Sequence, residues 1–303
     1  MAKHRWRCPW SSIMILARPR PLRCSAVISD VDGTLITDDK ILSARSVAAA
    51  AELRSSGIIF SVISSRPPRG LRNLITSLGI DAPVAGFNGG VLATANLAII
   101  AAHLLAPDIA RRTVQMLDAR GLEAWVFSGQ DWLLRQPDAP YVGLEARTVA
   151  FGPTPVDDFG PALDTTAKIV GVSTNFEALA QCERDLRAAL GAQASVVRSQ
   201  PYYLDVTHPL ANKGDALSHL ARLMQVPLAE VATIGDGHND IAMFERSGLS
   251  IAMGNASPEV QRAADFATTS NGEDGFARAI ERYILSADTP APVEAAKARD
   301  RAW

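Results

Sequence analysis

Asp30-Val31-Asp32-Gly33-Thr34 places two carboxylates two residues apart, followed by a glycine and a hydroxyl. On a loop at the end of a strand, such carboxylates can converge on one point. The glycine lets the backbone turn tightly and bring N–H groups toward an anion. Asp and Gly are also ordinary turn residues, so this stretch alone fits an acidic turn equally well.

A second acidic stretch, Gly235-Asp236-Gly237-His238-Asn239-Asp240, changes the balance. Four carboxylates gathered from two strand ends would repel one another unless a cation joined them. Hard oxygen donors without thiolates or paired histidines suit Mg²⁺. His238 reads as a satisfied loop histidine rather than a ligand or base. Asn239 reads as a helix N-cap, a polar anchor for the site, or both. Two more residues offer what a phosphate needs. Ser64 brings a hydroxyl to the end of another apolar run, and Lys213, in Asn212-Lys213-Gly214, brings a point charge to a helix start.

The elements that must hold these residues follow from apolar runs and punctuation. Ala26–Ser29, Ile58–Ser64 and Val84–Phe87 read as buried strands, with helices over 43–56 and 69–78 stopped by Gly57 and Gly79. The same grammar returns late. A helix over 213–225 precedes a strand Val231–Gly235, a short helix over 239–247, a strand Leu249–Met253, and a helix opening at Ser257-Pro258. A last strand at 267–269 and a helix over 275–285 close the pattern. Strand–helix alternation predicts an α/β fold with a parallel sheet. Between the halves the pattern changes to hairpins and amphipathic helices. This gives an α+β module inserted into a split core. In open α/β sheets ligands bind outside the carboxyl ends of the strands, where both acidic stretches fall.

Composition narrows the function classes. The chain has 303 residues, 48% hydrophobic and 20% charged, with a net charge of −2. That profile excludes a mainly disordered chain and gives no basic field for nucleic acid. No apolar run approaches the roughly 18 residues of a membrane span. Three scattered cysteines form no metal spacing, so a reducing cytoplasm is expected. Residues 1–23 hold six basic residues and no acid, which leaves −8 on the rest. This segment reads as a loosely ordered extension, with an anion-binding arm or a transit peptide as alternatives.

The ordered set DxDGT, Ser64, Lys213 and GDGHND, with Ala252–Ala256 (AMGNA) beyond it, resembles the haloacid dehalogenase-like hydrolase superfamily, and within it the Cof-type branch with a large α/β cap (type IIB). The resemblance covers about residues 25–285. It implies a Rossmann-like core at 25–90 and 201–285 and an inserted cap at 91–200, between an extension at 1–24 and a tail at 286–303. It implies Mg²⁺-dependent hydrolysis of a small phosphorylated metabolite, with a sugar phosphate favoured. Asp30 would be the nucleophile and Asp32 the general acid and base. Ser64, Lys213 and Asn239 would hold the phosphate. Asp30, Asp236 and the Asp32 carbonyl would hold the metal, with Asp240 behind them. Asn88-Gly89 matches the turn at the cap junction. One departure is visible: Ser65-Arg66 follows Ser64 where the branch commonly has Gly-Arg. A sugar phosphomutase and a non-catalytic phosphometabolite-binding protein compete on the same scaffold. A receiver domain is disfavoured by the insertion. In the cap, Trp125, Trp132, Arg135, Tyr141, Arg147, Arg198 and Tyr202 are candidates without an assigned role.

Overall fold

Short, uninterrupted apolar runs make strands that are buried on both faces, and the first of them, β1 (Ala26–Ser29), has no exposed residue. The structure is a computed structural model that describes residues 24–286. Apart from Cys24 and Ser286, the basic extension and the tail lie outside the described residues.

From β1 the chain runs through α1 (Ala44–Ser55), β2 (Ile59–Val62), α2 (Arg72–Leu78), β3 (Val84–Gly86), β4 (Val91–Ala93) and β5 (Ile99–Ala102). It continues through α3 (Pro107–Asp118), β6 (Glu123–Ser128), β7 (Asp131–Leu134), α4 (Val142–Val149), β8 (Thr154–Pro155), β9 (Thr166–Val172), α5 (Phe176–Leu190), β10 (Ser195–Gln200) and β11 (Tyr203–Thr207). It closes with α6 (Lys213–Leu223), β12 (Val231–Gly235), α7 (Ile241–Phe244), β13 (Leu249–Ala252), α8 (Pro258–Ala263), β14 (Phe266–Ala267) and α9 (Gly275–Ala279). The predicted punctuation operates locally. Ser43 caps α1 by accepting from the Ser46 N–H, Ser257 caps α8 through Val260, and Gly79 ends α2 in the left-handed region.

Five strands form a parallel sheet in the order β14-β13-β12-β1-β2. Alternate residues of β1 serve two cores. Val27 packs with Leu53 and Phe276 from α1 and α9, while Ala26 and Ile28 pack with Leu217, Leu220 and Phe244 from α6 and α7. Helices therefore cover both faces of the sheet, as parallel pairing requires.

The insertion is a six-stranded sheet in the order β10-β11-β9-β6-β7-β8. α3 and α5 cover one face, where Leu117, Leu179 and Leu186 meet Val126, Ile169 and Leu204. Its limits differ from the expected 91–200. β4 pairs antiparallel with β3 and β5 antiparallel with β4, in a small sheet that an isolated bridge, Ile63 to Ala85, ties to the parallel one. β11 lies beyond 200 yet pairs with both β9 and β10. The outward crossing falls between His103, whose N–H donates to Gly90, and Leu105, whose N–H donates to Thr166. The chain returns after Thr207. A β-prone run carries no mark of the sheet it will join, because partner choice is set by long-range register. The two crossings run side by side, with the rings of His103 and His208 stacked 5.3 Å apart.

Leu53 is fully buried between α1 and the parallel sheet. Leu53→Ala is expected to destabilise the core by about 2–5 kcal/mol, the usual cost of such a cavity. Urea titration of purified variant and parent measures this as a lower midpoint.

Candidate active site

β1 and β12 are neighbours in register, Ser29 beside Ile234, so the residues that follow them emerge side by side at one sheet edge. Asp30 follows β1, its N–H bonded to the Ile234 carbonyl. Asp236 follows β12. The loop after Asp30 folds back tightly, with the Val31 carbonyl accepting from Thr34, Leu35 and Ile36. Gly33 has φ +83°, and a Cβ there would collide with the Asp236 carboxylate. The turn therefore needs glycine both for its dihedral angle and for its space.

Lys213 enters from a third direction. It is the first residue of α6, set there by Asn212, whose side chain accepts the Asp215 N–H. Its ammonium lies 2.7 Å from Asp30 Oδ1 and 2.6 Å from Asp240 Oδ1, and it is 1% exposed. Burial opposes its charge, but Asp240 and Asp30 outweigh burial and raise its pKa above the ordinary lysine value. The other oxygen of Asp240 accepts the N–H groups of Asp236 and Gly237. Asp240 is thus saturated and fully buried, bracing the loop and the lysine together.

Burial pushes the Asp30 carboxyl well above the usual range. Lys213 opposes that rise, while Asp240 and Asp236 add to it. Asp236 is raised by burial as well, against the Thr34 hydroxyl at 2.8 Å and with the charge of Asp240. Carboxylates this close repel one another, and a cation between them relieves the repulsion. Oxygens of Asp30, Asp236 and Asp240 lie within 4.8 Å of one another, and this is the one such metal-ligating cluster among the described residues. With Asp240 saturated, Asp30 and Asp236 are the side chains free to meet a divalent ion.

Asp32 behaves differently. Its carboxylate is gripped by Arg66, with Nε to Oδ2 at 2.7 Å and Nη2 to Oδ1 at 2.8 Å, and by Lys40 Nζ at 2.7 Å. Burial would raise its pKa, but these two cations prevail and hold it below the usual carboxylate range. Its carboxylate is not among the clustered oxygens of Asp30, Asp236 and Asp240, so its backbone carbonyl is the atom it could offer a metal. Ser64 is fully buried at the end of the second strand, its hydroxyl accepting the Arg66 N–H at 3.2 Å. Its own hydroxyl hydrogen can therefore point elsewhere. Asn239 is exposed and donates to Asn88 Oδ1 at 3.2 Å. His238 lies on the surface, 3.8 Å from Glu259.

Several groups at this edge were given no role by sequence reasoning. Arg66 stood in view beside Ser65, which departs from the Gly-Arg pattern. Thr34, inside DxDGT, anchors Asp236. Asn255, inside AMGNA, donates to the Gly33 carbonyl at 2.9 Å. Lys40 had no local signal at all. Of the cap candidates, Arg135 is paired with Asp118 and Arg198 with Glu183, both on helices, whereas Trp125 and Trp132 are fully buried. Chemically, the edge offers a buried carboxylate beside a fixed ammonium, a place for a hard cation, and a second carboxylate held ionised nearby.

The family described as haloacid dehalogenase-like hydrolase matches residues 27–280. A Haemophilus influenzae protein provisionally named a phosphatase is 30% identical over 257 residues, covering 84% of this chain and 97% of its own length. A 5-amino-6-(5-phospho-D-ribitylamino)uracil phosphatase of Bacillus subtilis is 24% identical over 288 residues, covering 87% and 98%. Among solved structures, a haloacid dehalogenase-like hydrolase from Bacteroides thetaiotaomicron superposes with TM-score 0.80 at 28% identity, covering 86% of this chain and 99% of that one.

Removing one member of a buried charge cluster strands the others. Lys213→Met leaves Asp30 and Asp240 buried without their counter-charge, and is expected to cost about 3–5 kcal/mol. Lys213→Met combined with Asp240→Asn is expected to lose less than the sum of the two single variants, because one stranded charge is gone. Denaturant titrations of the four proteins in the double-mutant cycle check this.

Proposed function

We propose, from the premise that this chain belongs to the haloacid dehalogenase-like hydrolases, that it hydrolyses a small phosphate monoester through a phosphoryl group carried on Asp30. The chain is a phosphoric monoester hydrolase. The finer reading rests on one observation above all: carboxylates from both halves of the sequence converge on a single buried lysine. That arrangement supports a site built to take up an anion together with a cation.

The steps follow from the groups at the sheet edge. The Asp30 oxygen not held by Lys213 attacks phosphorus in line, and the bond to the ester oxygen breaks. The leaving oxygen takes a proton from Asp32. In the second step Asp32, again a carboxylate, takes a proton from water. That water attacks phosphorus, inorganic phosphate leaves, and Asp30 is regenerated. Lys213, the Ser64 hydroxyl and the Asn239 amide hold the equatorial oxygens, whose charge is stabilised as the transition state spreads it. When bound, Mg²⁺ would supply the charge neutralisation that lets a carboxylate approach a phosphate dianion. Asp30, Asp236 and the Asp32 carbonyl would hold it, with Asp240 bracing Asp236 through the backbone.

The grip of Arg66 and Lys40 on Asp32 bears on its two roles. It favours the carboxylate, the form needed to activate water. The acid form must then arise when substrate binds, with an incoming dianion competing for the two cations. A sugar or polyol phosphate is the favoured substrate class. The Bacillus subtilis relative is named for a substrate whose phosphate sits on a ribitylamino group.

Asp30→Asn is expected to lower turnover of p-nitrophenyl phosphate on the order of 10⁴-fold, with an unchanged circular dichroism spectrum. A variant retaining near-parental turnover overturns the nucleophile assignment. Treatment with EDTA is expected to abolish phosphate release and added Mg²⁺ to restore it, as followed by an inorganic phosphate assay. Full activity in metal-stripped protein contradicts the cation's role.

A further inference from the structure

The inserted module hangs from the core by two chain crossings, and each carries a histidine. His103 directly follows β5 on the way out, and His208 directly follows β11 on the way back. Their rings stack 5.3 Å apart and 19° from parallel. His219 of α6 stacks on His103 at 6.0 Å. All three are half-buried. Three of the five histidines in the chain thus meet where the two parts join.

The contact made by His208 depends on its protonation. Its Nδ1 accepts the Leu210 N–H at 3.1 Å. A neutral imidazole that accepts at Nδ1 carries its hydrogen at Nε2. Neither nitrogen then has a lone pair to spare for a metal. A proton added at Nδ1 turns the acceptor into a donor facing another donor, and the contact is lost. The same turn continues with the Ala211 N–H donating to the His208 carbonyl and the Asn212 N–H to the Leu210 carbonyl. Asn212 then caps α6 at Lys213. The return crossing and the placement of the buried lysine share this one turn.

The surrounding charges do not favour the protonated pair. Residues 82–107 contain no Asp, Glu, Lys or Arg, so β3–β5 and the outward crossing bring no counter-charge to His103. On α6, Asp215 feels His219, but its carboxylate is held by Arg246 of the following loop at 2.7 Å and by Asn212 at 2.6 Å. Arg222, one turn beyond His219, has the sign of an imidazolium. In the ladder leading to His208, Lys168 and Asp205 are bound to each other at 2.7 Å. Burial, and then His103, hold the His208 imidazole below the usual histidine range. Two imidazolium ions stacked at this distance would repel.

These neutral rings belong to an arrangement in which the module is seated on the core. Arg69 lies over the Phe151 ring at 4.5 Å and stands 3.8 Å from Asp131. Gln130 donates to the Leu97 carbonyl at 3.3 Å, and the rings of Phe87 and Phe127 meet at 5.4 Å. We infer that His103 and His208 form a proton-operated latch at the crossings, which keeps the inserted module seated while neutral and releases it in acid. The sign follows from linkage. A group harder to protonate in the seated arrangement favours that arrangement above its ordinary pKa of about 6.5, and the preference is lost as pH falls below it.

Hydrogen–deuterium exchange of the full-length protein, corrected for the intrinsic rate at each pH, measures the release. From about pH 7.5 to about pH 5.5, protection over residues 97–104 and 205–212 is expected to fall about fivefold or more relative to β1. His208→Gln keeps an acceptor for Leu210 and takes no proton, and His103→Phe keeps a stacked ring without charge. With both substitutions the same loss is expected to stay below about twofold. If the double variant does not fold, imidazole NMR titration of the parent and of His103→Phe decides. His208 is expected to titrate below the ordinary histidine value in the parent and to move upward in His103→Phe. Protection that does not change in the parent, or that falls alike in parent and double variant, overturns the latch. A parental His208 that titrates at or above the ordinary value overturns it as well.

Discussion

Like charges in a dry place are the constraint around which the core is built. Asp30, Asp236 and Asp240 converge within a few ångströms, and the effective penalty for burying each as an ion is several kcal/mol. The structure meets this in two ways. Lys213 stands between Asp30 and Asp240 as a fixed ammonium, and two backbone N–H groups satisfy the far oxygen of Asp240. Asp30 and Asp236 remain incompletely matched. The uncompensated charge is therefore confined to Asp30 and Asp236.

That distribution requires close approach of three backbone segments. β1 and β12 must be adjacent, which fixes their place at the centre of the parallel sheet. The loop after β1 must pass close against the Asp236 side chain, and the missing Cβ of Gly33 permits this. α6 must begin at Lys213 rather than a turn earlier or later, and the Asn212 cap sets that start. A one-residue slip in any of these elements would carry a charged group into the apolar cores that flank the sheet.

Much of this was legible locally. Buried strands, helix caps and the acidic loops each leave a short signature, because their physics is short-ranged: a hydroxyl capping an N–H three residues on, or a glycine where φ is positive. The membership of β4, β5 and β11 was not legible, since the same β-prone run can join either sheet and only distant partners decide. The grip of Arg66 on Asp32 spans 34 residues and that of Lys40 spans eight. No spacing rule announces either contact. They matter because they hold below the usual range a carboxylate that the family resemblance casts as both acid and base.

The division between local and distant signals parallels a division of labour in the site. The clustered groups Asp30, Asp236, Asp240 and Lys213 sit on short loops and a helix start at one edge of the parallel sheet. The polar pair Lys168 and Asp205 comes from strands whose alignment is set by pairing across the inserted sheet, against whose apolar face α4 packs. Asp32 sits where the two meet. Core cations hold its carboxylate, while Glu145 of the cap feels its charge. In the proposed reaction, proton delivery from Asp32 would then respond to charge placed on the cap side, because such charge alters the field at Asp32.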